Sequence, residues 1–244
     1  MSEPIIVAED VRVQYGAGVA GVLALDGVSL EVQRGEVMLI VGPSGSGKTT
    51  LLQVLGALIQ PTSGNVVIGG RNTDALSIKE LRRLRLDSFG FVFQLHRLIP
   101  TLTAWENVAL ALDLKGVRGR AAEQRSRELL EELGLSNRAD AYPGQMSGGQ
   151  RQRVAIARAC ALDPPVILAD EPTASLDSTS ARQVTQLFCE LAERHGRAVV
   201  IVTHDTRLMS SADRTVIIED GRINAASHTP LLPPEASAGA RWEN

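Results

Sequence analysis

The sequence GPSGSGKTT at residues 42–50 decides the fold of this 244-residue chain. It has the phosphate-loop pattern G-x-x-x-x-G-K-S/T, whose fixed positions are Gly42, Gly47, Lys48 and Thr49. The apolar run VMLIV at residues 37–41 predicts a strand buried on both faces before the loop, and TTLLQVLGAL at residues 49–58 predicts a helix after it. A strand, a glycine-rich loop and a helix in this order form a cradle for the phosphates of a nucleotide.

The chemistry expected of this loop follows from its residue types. Glycines let successive backbone N–H groups face phosphate oxygens, and the helix N-terminus adds about half a positive charge. Lys48 is expected to reach the β and γ phosphates, and Thr49 to bind Mg²⁺ through its hydroxyl. Contacts with the nucleotide are expected from the whole loop: Gly42, Pro43, Ser44, Gly45, Ser46, Gly47, Lys48, Thr49 and Thr50. The alternative, a Gly/Ser-rich turn that contains a lysine by chance, is disfavoured by the flanking strand and helix.

The composition argues against several classes of protein. Hydrophobic residues make up 44% and charged residues 22%, as in ordinary globular proteins, while aromatics make up only 3%, so the core must be built from Val, Leu, Ile and Ala. A net charge of -3 argues against a nucleic-acid binder that works by phosphate neutralisation. Cys160 and Cys189 lack metal-ligand spacing and predict reduced thiols. Because no window approaches 18 apolar residues and MSEPIIVAED does not resemble a signal peptide, we expect a chain that neither spans nor crosses a membrane.

The first part of the chain predicts antiparallel strands ahead of the parallel core. Residues 5–13 and 28–32 are rich in β-branched or alternating apolar residues, and Asp26-Gly27 reads as a turn-prone break before the second of these. Residues 65–69 predict another short strand. Tyr15 is a rare aromatic in a polar, glycine-flanked position, where its ring could stack on a base. The alternative is a half-buried tyrosine at a strand end.

The middle of the chain predicts helices without strands. Thr103-x-x-Glu106 is a capping box that opens one helix, residues 123–133 form another, and Ser147 is a natural N-cap for a third at 148–159. That last helix aims its N-terminus at an anion. Since strand patterns return only at residue 166, we expect a helical lobe inserted between strands of the core.

This pattern predicts one domain at residues 1–224, with core and β lobes at 1–94 and 162–224 and a helical lobe at 95–161. Ala, Ser and Pro accumulate afterwards, so residues 225–244 are expected to form a flexible tail.

Polar residues follow two further buried strands. VILA at residues 166–169 ends in Asp170-Glu171, and AVVIV at 198–202 ends in Thr203-His204. Because ligands gather at the carboxyl ends of parallel strands, these residues should meet Lys48 at one place.

Their chemistry suits the removal of a γ phosphate. Asp170 is expected to hold Mg²⁺, and Glu171 to accept a proton from the attacking water. His204 is expected to hydrogen-bond the γ phosphate or that water. The alternatives are a solvated carboxylate pair and a structural histidine. Gln94, which follows the strand-like residues 89–93, carries no information alone.

Together these motifs resemble the ATP-binding cassette (ABC) ATPases, since MSGGQ at residues 146–150 is similar to the family signature, with Met146 in place of the usual leucine. The resemblance covers residues 15–205 and implies ATP and Mg²⁺ as ligands. It implies an α/β phosphate-loop NTPase core with a mostly parallel sheet, an antiparallel β subdomain and an inserted helical subdomain. The implied roles are adenine stacking at Tyr15, Mg²⁺ and partner sensing at Gln94, phosphate contacts at Ser147, Gly148, Gly149 and Gln150, a dimer-crossing loop at Asp177, catalytic base at Glu171 and γ-phosphate switch at His204.

The resemblance also implies the partners. Two cassettes would face head to tail, so that Ser147 closes over ATP held by the partner's phosphate loop. Transmembrane permease subunits on separate chains would hold the dimer at the cytoplasmic side of the plasma (inner) membrane, and no nucleic acid is expected.

Several functions remain open at this point. A transporter motor is favoured over a soluble ABC ATPase of translation or DNA repair, because the chain has one cassette, no heptad array and no zinc-binding cysteines. A nucleotide sensor that does not hydrolyse ATP would tolerate loss of Glu171 or His204. Residues 76–108 resemble the subfamily that releases lipoproteins or exports macrolides, with amino-acid importers as the alternative. Residues 95–102 are expected to form part of a groove for a permease helix, or else core of the helical lobe.

Overall fold

A computed structural model describes residues 3–16 and 21–228 of the chain. Within them the strands are β1 (Ile6–Tyr15), β2 (Val22–Val32), β3 (Val37–Val41), β4 (Ser63–Ile68), β5 (Arg71–Asn72), β6 (Phe89–Val92), β7 (Val166–Asp170), β8 (Ala198–Thr203), β9 (Arg214–Glu219) and β10 (Arg222–His228). The helices are α1 (Lys48–Leu55), α2 (Ile78–Ser88), α3 (Ala104–Asp113), α4 (Gly119–Glu132), α5 (Gly148–Cys160) and α6 (Ser178–His195). Short 3-10 turns occupy Thr73–Ala75, Ser136–Arg138, Pro143–Gln145 and Thr206–Ser211.

The central sheet has six strands in the order β10-β9-β3-β8-β7-β6. All neighbouring pairs are parallel except β9 with β10, which form an antiparallel edge. Every residue of β3 and β8 is buried, as expected for parallel strands covered on both faces. The carboxyl ends of β3, β7 and β8 therefore meet at one edge of the sheet.

Residues of β3 alternate between two apolar clusters, one on each face of the sheet. Leu39 packs with the cluster that contains α3, α4 and α5, whereas Met38 and Ile40 pack with the cluster that contains α1 and the second sheet. Successive side chains of a strand point to opposite faces, so this short strand joins both halves of the core.

The second sheet is antiparallel, in the order β2-β1-β4-β5, and confirms the predicted β subdomain. The predicted break at Asp26-Gly27 is wrong, because β2 continues through it. Val11 pairs with Val28 and Val13 with Leu25, so β2 has one extra residue at this point, and Gly27 has a φ of 71°. The Asp-Gly pair forms a β-bulge rather than a turn.

The predicted inserted helical subdomain is confirmed, with α3, α4 and α5 lying between β6 and β7 along the chain. Thr103 caps α3 in the predicted capping box with Glu106, and Ser77 caps α2 in the same way with Glu80. These reciprocal bonds satisfy backbone N–H groups that the first helical turn leaves free.

Two predicted boundaries differ from the structure. The strand predicted at residues 89–93 ends at Val92, and β10 extends to His228, beyond the predicted domain end at residue 224. Pairing with β9 makes residues 225–228 part of the sheet, despite their Ala/Ser-rich composition. The rest of the predicted tail, residues 229–244, lies outside the described residues. In the described part of the chain, no helix combines the length and the apolar character needed to span a bilayer.

Candidate active site

The phosphate loop lies between β3 and α1, as predicted. Gly47, with a φ of 99°, precedes α1, and a Cβ there would fall 2.4 Å from the carbonyl oxygen of Ala24. A Cβ at Gly42 would fall 2.0 Å from the carbonyl oxygen of Ile218. Both positions require glycine, because neighbouring backbone leaves no room for a side chain.

Lys48 is 8% exposed, and its Nζ donates to the carbonyl oxygens of Gly42 (2.9 Å) and Pro43 (2.7 Å). The ammonium group is thus folded against the loop. Ser46 Oγ is buried and has no hydrogen-bond partner, which is uncommon for a buried hydroxyl. A phosphate oxygen bound in the loop would supply an acceptor, so these residues fit a nucleotide phosphate.

Thr49 and Asp170 bring a hydroxyl and a carboxylate together. Thr49 Oγ1 donates to Asp170 Oδ1 at 3.1 Å. Burial raises the pKa of Asp170 and the nearby Glu171 raises it further, whereas the hydrogen bond from Thr49 and the charges of Lys48 and Arg97 oppose this. Oxygen ligands of this kind fit a hard cation such as Mg²⁺, whose charge would favour the ionised carboxylate.

The Glu171 carboxylate is fixed through both of its oxygens. Thr203 Oγ1 donates to Oε2 at 3.1 Å, and His204 Nδ1 lies 2.8 Å from Oε1. The Glu171 side chain is 15% exposed, while that of His204 is 68% exposed. Glu171 itself has a φ of 47°, and its backbone N–H donates to Val202 O at 2.8 Å. The end of β8 therefore holds a carboxylate beside the phosphate loop.

The predicted meeting of Lys48, Asp170, Glu171 and His204 agrees with this geometry. Lys48 and Glu171 both lie close enough to Asp170 to affect its pKa, and His204 contacts Glu171 directly. Sequence reasoning missed Thr203 as a partner of Glu171, although a hydroxyl residue that closes an apolar strand is a usable sign. It also missed Arg97, for which the sequence offers no sign.

Two residues predicted from the family resemblance lie at or just beyond the ends of strands. Gln94 is exposed, two residues beyond β6, the strand that neighbours β7. Tyr15 is 47% exposed and pairs with Val22 at the start of β2. Two residues further along β2 lies Ala24, whose carbonyl oxygen packs against Gly47 of the phosphate loop. An exposed ring beside that loop fits the predicted stacking on a base.

The signature segment, residues 146–150, lies at the start of α5. Ser147 caps this helix, since its Oγ accepts from Gln150 N at 3.2 Å and its N–H donates to Gln150 Oε1 at 3.0 Å. A Cβ at Gly149 would fall 2.7 Å from Ser180 Oγ, so the segment packs closely on the first turn of α6. No hydrogen bond joins the segment to the phosphate loop within the described residues.

Asp177 caps α6, accepting from the backbone N–H groups of Thr179 and Ser180 at 3.0 Å each. The hydrogen bond from the Ser180 hydroxyl, at 2.7 Å, is the largest cause that lowers the pKa of Asp177. Within one chain, this carboxylate therefore acts as a helix cap.

Comparison with known proteins identifies relatives. A sequence model of the family described as ABC transporter matches residues 25–174. The chain is 45% identical over 246 residues to the macrolide export ATP-binding/permease protein MacB of Burkholderia pseudomallei, an alignment that covers 99% of this chain and 38% of that protein. The chain thus spans less than half the length of this relative. It is 48% identical over 199 residues to the lipoprotein-releasing system ATP-binding protein LolD of Bacteroides fragilis, covering 82% of this chain and 92% of that protein.

Solved structures agree with this relationship. The dimeric structure of the ATP-binding cassette MJ0796 in a post-hydrolysis state, bound to ADP and Pi, superposes with a TM-score of 0.84 at 42% identity. It covers 91% of this chain and 98% of that one. Because the family match takes in more than half of the sequence and the lipoprotein-releasing relative is matched over nearly its whole length, the chain belongs to the ABC transporter family.

Proposed function

We propose that this chain is the ATP-hydrolysing motor of an ABC transporter, which binds MgATP, pairs with a second cassette and drives a transmembrane permease. The observation that carries the proposal is the position of the Glu171–His204 pair beside the Thr49–Asp170 pair, next to the phosphate loop. Phosphate binding, cation binding and proton acceptance are the three requirements of γ-phosphate hydrolysis.

Each of these residues has one role in the reaction. Lys48 and the loop N–H groups bind the β and γ phosphates, and Thr49 and Asp170 would hold Mg²⁺, which neutralises phosphate charge when bound. Glu171 accepts a proton as water attacks the γ phosphorus and the bond to the β–γ bridging oxygen breaks. Because Thr203 and His204 hold both oxygens of Glu171, the base needs little reorganisation.

The dimer is proposed from the signature segment. Ser147 is exposed at the N-terminus of α5 and makes no bond to its own phosphate loop, so its free face is available to a phosphate of the opposite subunit. A head-to-tail pair would use two such segments. The dimeric state of the MJ0796 cassette with ADP and Pi supports this arrangement.

The permease is proposed to dock in a groove between α2, β6 and α3. This groove has a volume of about 1280 Å³. Its apolar floor includes Phe89, Phe91 and Phe93, and seven basic residues but only two acidic ones line it. An amphipathic cytoplasmic helix with acidic side chains matches this surface. Such docking would hold the cassette at the cytoplasmic side of the inner membrane.

Residues 95–102 are expected to form part of a permease groove, and Arg97 is the residue of that segment that lines this one. Leu98 instead packs against the apolar cluster of the helical lobe. Leu95 is 78% exposed outside the groove. The groove proposed for docking is formed by β6 and its neighbouring helices, with Arg97 as its contribution from residues 95–102.

Export of lipoproteins or macrolide-like molecules is the proposed direction of transport. The relatives described above are named for macrolide export and lipoprotein release, which favours export over the amino-acid importer alternative. The cargo itself would be selected by the permease.

Phosphate release by the purified chain, with and without Mg²⁺, tests the proposal. Lys48→Ala is expected to lose tight MgATP binding and hydrolysis, whereas Lys79→Ala, a change of an exposed lysine on α2, should leave both unchanged. Equal hydrolysis by these two variants would contradict the assigned phosphate loop.

A further inference from the structure

Thr203, the last residue of β8, contacts the hydrolysis site from inside the core. Its exposed fraction is 0%, and a buried hydroxyl normally has hydrogen-bond partners. Thr203 Oγ1 takes part in two such bonds: it donates to Glu171 Oε2 at 3.1 Å, and it accepts from the backbone N–H of Asp205 at 3.0 Å. The hydroxyl therefore joins the carboxylate to the turn that follows β8.

The bond from Asp205 fixes the direction of the bond to Glu171. A backbone N–H can only donate, so Thr203 Oγ1 is the acceptor in that bond. The hydroxyl carries one hydrogen, which is left for Glu171 Oε2. Since an O–H group donates most strongly to an ionised carboxylate, this arrangement matches the form of Glu171 that can accept a proton.

The backbone of Glu171 is attached to the same strand. Its N–H donates to the carbonyl oxygen of Val202 at 2.8 Å, and its φ is 47°. A left-handed conformation is unfavourable for a residue that carries a Cβ, and it persists where surrounding contacts hold it. Consecutive residues of β8, Val202 and Thr203, thus hold the backbone and the side chain of Glu171.

The two side chains that contact the Glu171 carboxylate differ in their freedom to move. The His204 side chain is 68% exposed and can turn without disturbing the core. Thr203 lies in a strand that is buried throughout and pairs with β3 on one side and β7 on the other. It cannot leave Glu171 Oε2 unless the sheet opens, so its contact is the permanent one.

We propose that Thr203 is a positioning residue for ATP hydrolysis. Its hydroxyl keeps Glu171 Oε2 in place while His204 turns to the γ phosphate, so the carboxylate stays directed at the attacking water. The water gives its proton to Glu171 as its oxygen bonds to the γ phosphorus and the bond to the β–γ bridging oxygen breaks; Thr203 gives up no proton. The inference rests on the proposed function, because it takes Glu171 as the base.

Steady-state hydrolysis tests this role. Thr203→Val keeps the branched shape without the hydroxyl, and we expect kcat to fall about 10 to 100-fold while KM for MgATP stays within about twofold. Thr203→Ser restores the hydroxyl and should return kcat to within about threefold of wild type. Wild-type kcat in Thr203→Val, a KM that rises as much as kcat falls, or a Thr203→Ser chain as slow as Thr203→Val would overturn the proposal.

Thr215→Val is the matched control. Thr215 lies in β9 of the same sheet with an exposed fraction of 0%, and its Oγ1 has no hydrogen-bond partner within the described part of the chain. The substitution removes a buried hydroxyl that holds nothing, so kcat and KM should both stay at the wild-type values. An equal loss of kcat in both valine variants would show that burial of a hydroxyl, and not its bond to Glu171, is what matters.

A double-mutant cycle separates positioning from folding. In a Glu171→Gln background, Thr203→Val should change the remaining hydrolysis by less than about twofold, because the base that it positions is already lost. A further loss as large as in the wild-type background would contradict the proposal. If Glu171→Gln alone hydrolysed ATP at the wild-type rate, the proposed function would be at fault; a slow Glu171→Gln beside a fast Thr203→Val would refute only the role of Thr203.

Discussion

His204 Nδ1 lies 2.8 Å from Glu171 Oε1 at the end of the central sheet. The histidine is largely exposed while the carboxylate is largely buried, so the pair reaches from the core towards solvent. Contact between His204 and a γ phosphate would therefore link that phosphate directly to the Glu171 carboxylate. The other oxygen of Glu171 accepts from Thr203, which leaves the carboxylate little freedom to turn.

Replacing Glu171 separates binding from hydrolysis. Glu171→Gln keeps an oxygen that can accept from Thr203 but lacks the basic carboxylate, so we expect hydrolysis to slow by about 10² to 10⁴-fold while MgATP binding persists. The unhydrolysed nucleotide should trap a dimer, visible by size exclusion. Glu193→Gln, an exposed change on α6, is the control. A Glu171→Gln chain that turns over at the wild-type rate would refute this assignment.

The raised pKa of Asp170 predicts that the free energy of unfolding depends on pH. Because burial raises its pKa, the folded chain holds this proton more tightly than the unfolded chain, whose carboxyl has the ordinary aspartate pKa of 3.8. The free energy of unfolding therefore falls as the pH rises from about 4 through the raised pKa of Asp170. Above that pKa, the cost of burying the ionised carboxylate is fully present. Asp170→Asn removes this cost and still offers Thr49 an oxygen acceptor.

Thermal unfolding without nucleotide, in EDTA, measures the effect. Relative to wild type, Asp170→Asn should melt higher at about pH 7, with the difference shrinking towards about pH 4, and Mg²⁺ should no longer strengthen its ATP binding. Glu219→Gln at the exposed end of β9 serves as the control carboxylate. A melting difference independent of pH would contradict the raised pKa as the cause.

The sequence was sufficient where a local pattern has one structural outcome. Apolar runs such as residues 37–41 and 198–202 must be buried on both faces, and parallel strands necessarily bring their polar ends together. It was insufficient where one pattern has two outcomes. Asp26-Gly27 fits a turn or a bulge equally well, and only pairing with β1 selects the bulge.

Contacts made by the backbone were also beyond sequence reasoning. Glu171 adopts a left-handed conformation that is unusual for its residue type, and this turn is what directs its carboxylate to Thr203 and His204. The carbonyl groups of His96 and Arg97 accept hydrogen bonds from Arg158, which is 62 and 61 residues away, and no local pattern reports these contacts. Such residues are visible only in the folded chain.

The groove predicts where a membrane partner can be crosslinked. Leu114 is 68% exposed and lines the groove, so Leu114→Cys is expected to crosslink to the cytoplasmic helix of the permease in membranes that contain the assembled complex. Val22→Cys is the matched control, because Val22 is 66% exposed but lies on β2, outside the groove. Crosslinks from Val22→Cys alone would place the permease elsewhere.

The final prediction concerns a site shared by two chains. Lys48 and Ser147 lie in separate lobes, and each belongs to a segment proposed to bind the same ATP from opposite subunits. In a mixed dimer of a Lys48→Ala chain and a Ser147→Arg chain, one site combines both damaged segments while the other is intact. Mixing should therefore restore occluded MgATP at about one site per dimer, although neither mutant homodimer retains it.

Bound nucleotide is the better readout, because coupling between sites can keep hydrolysis low. Arginine at Ser147 blocks closure sterically, since loss of one hydroxyl bond would cost only about 0.5 to 1.5 kcal/mol. It also removes a helix cap, so Ser77→Arg, which removes an equivalent capping box from α2, is the control for destabilisation and should leave nucleotide occlusion intact. If purified mixed dimers held no more nucleotide than either mutant homodimer at matched concentrations, the signature segment would not act across the interface.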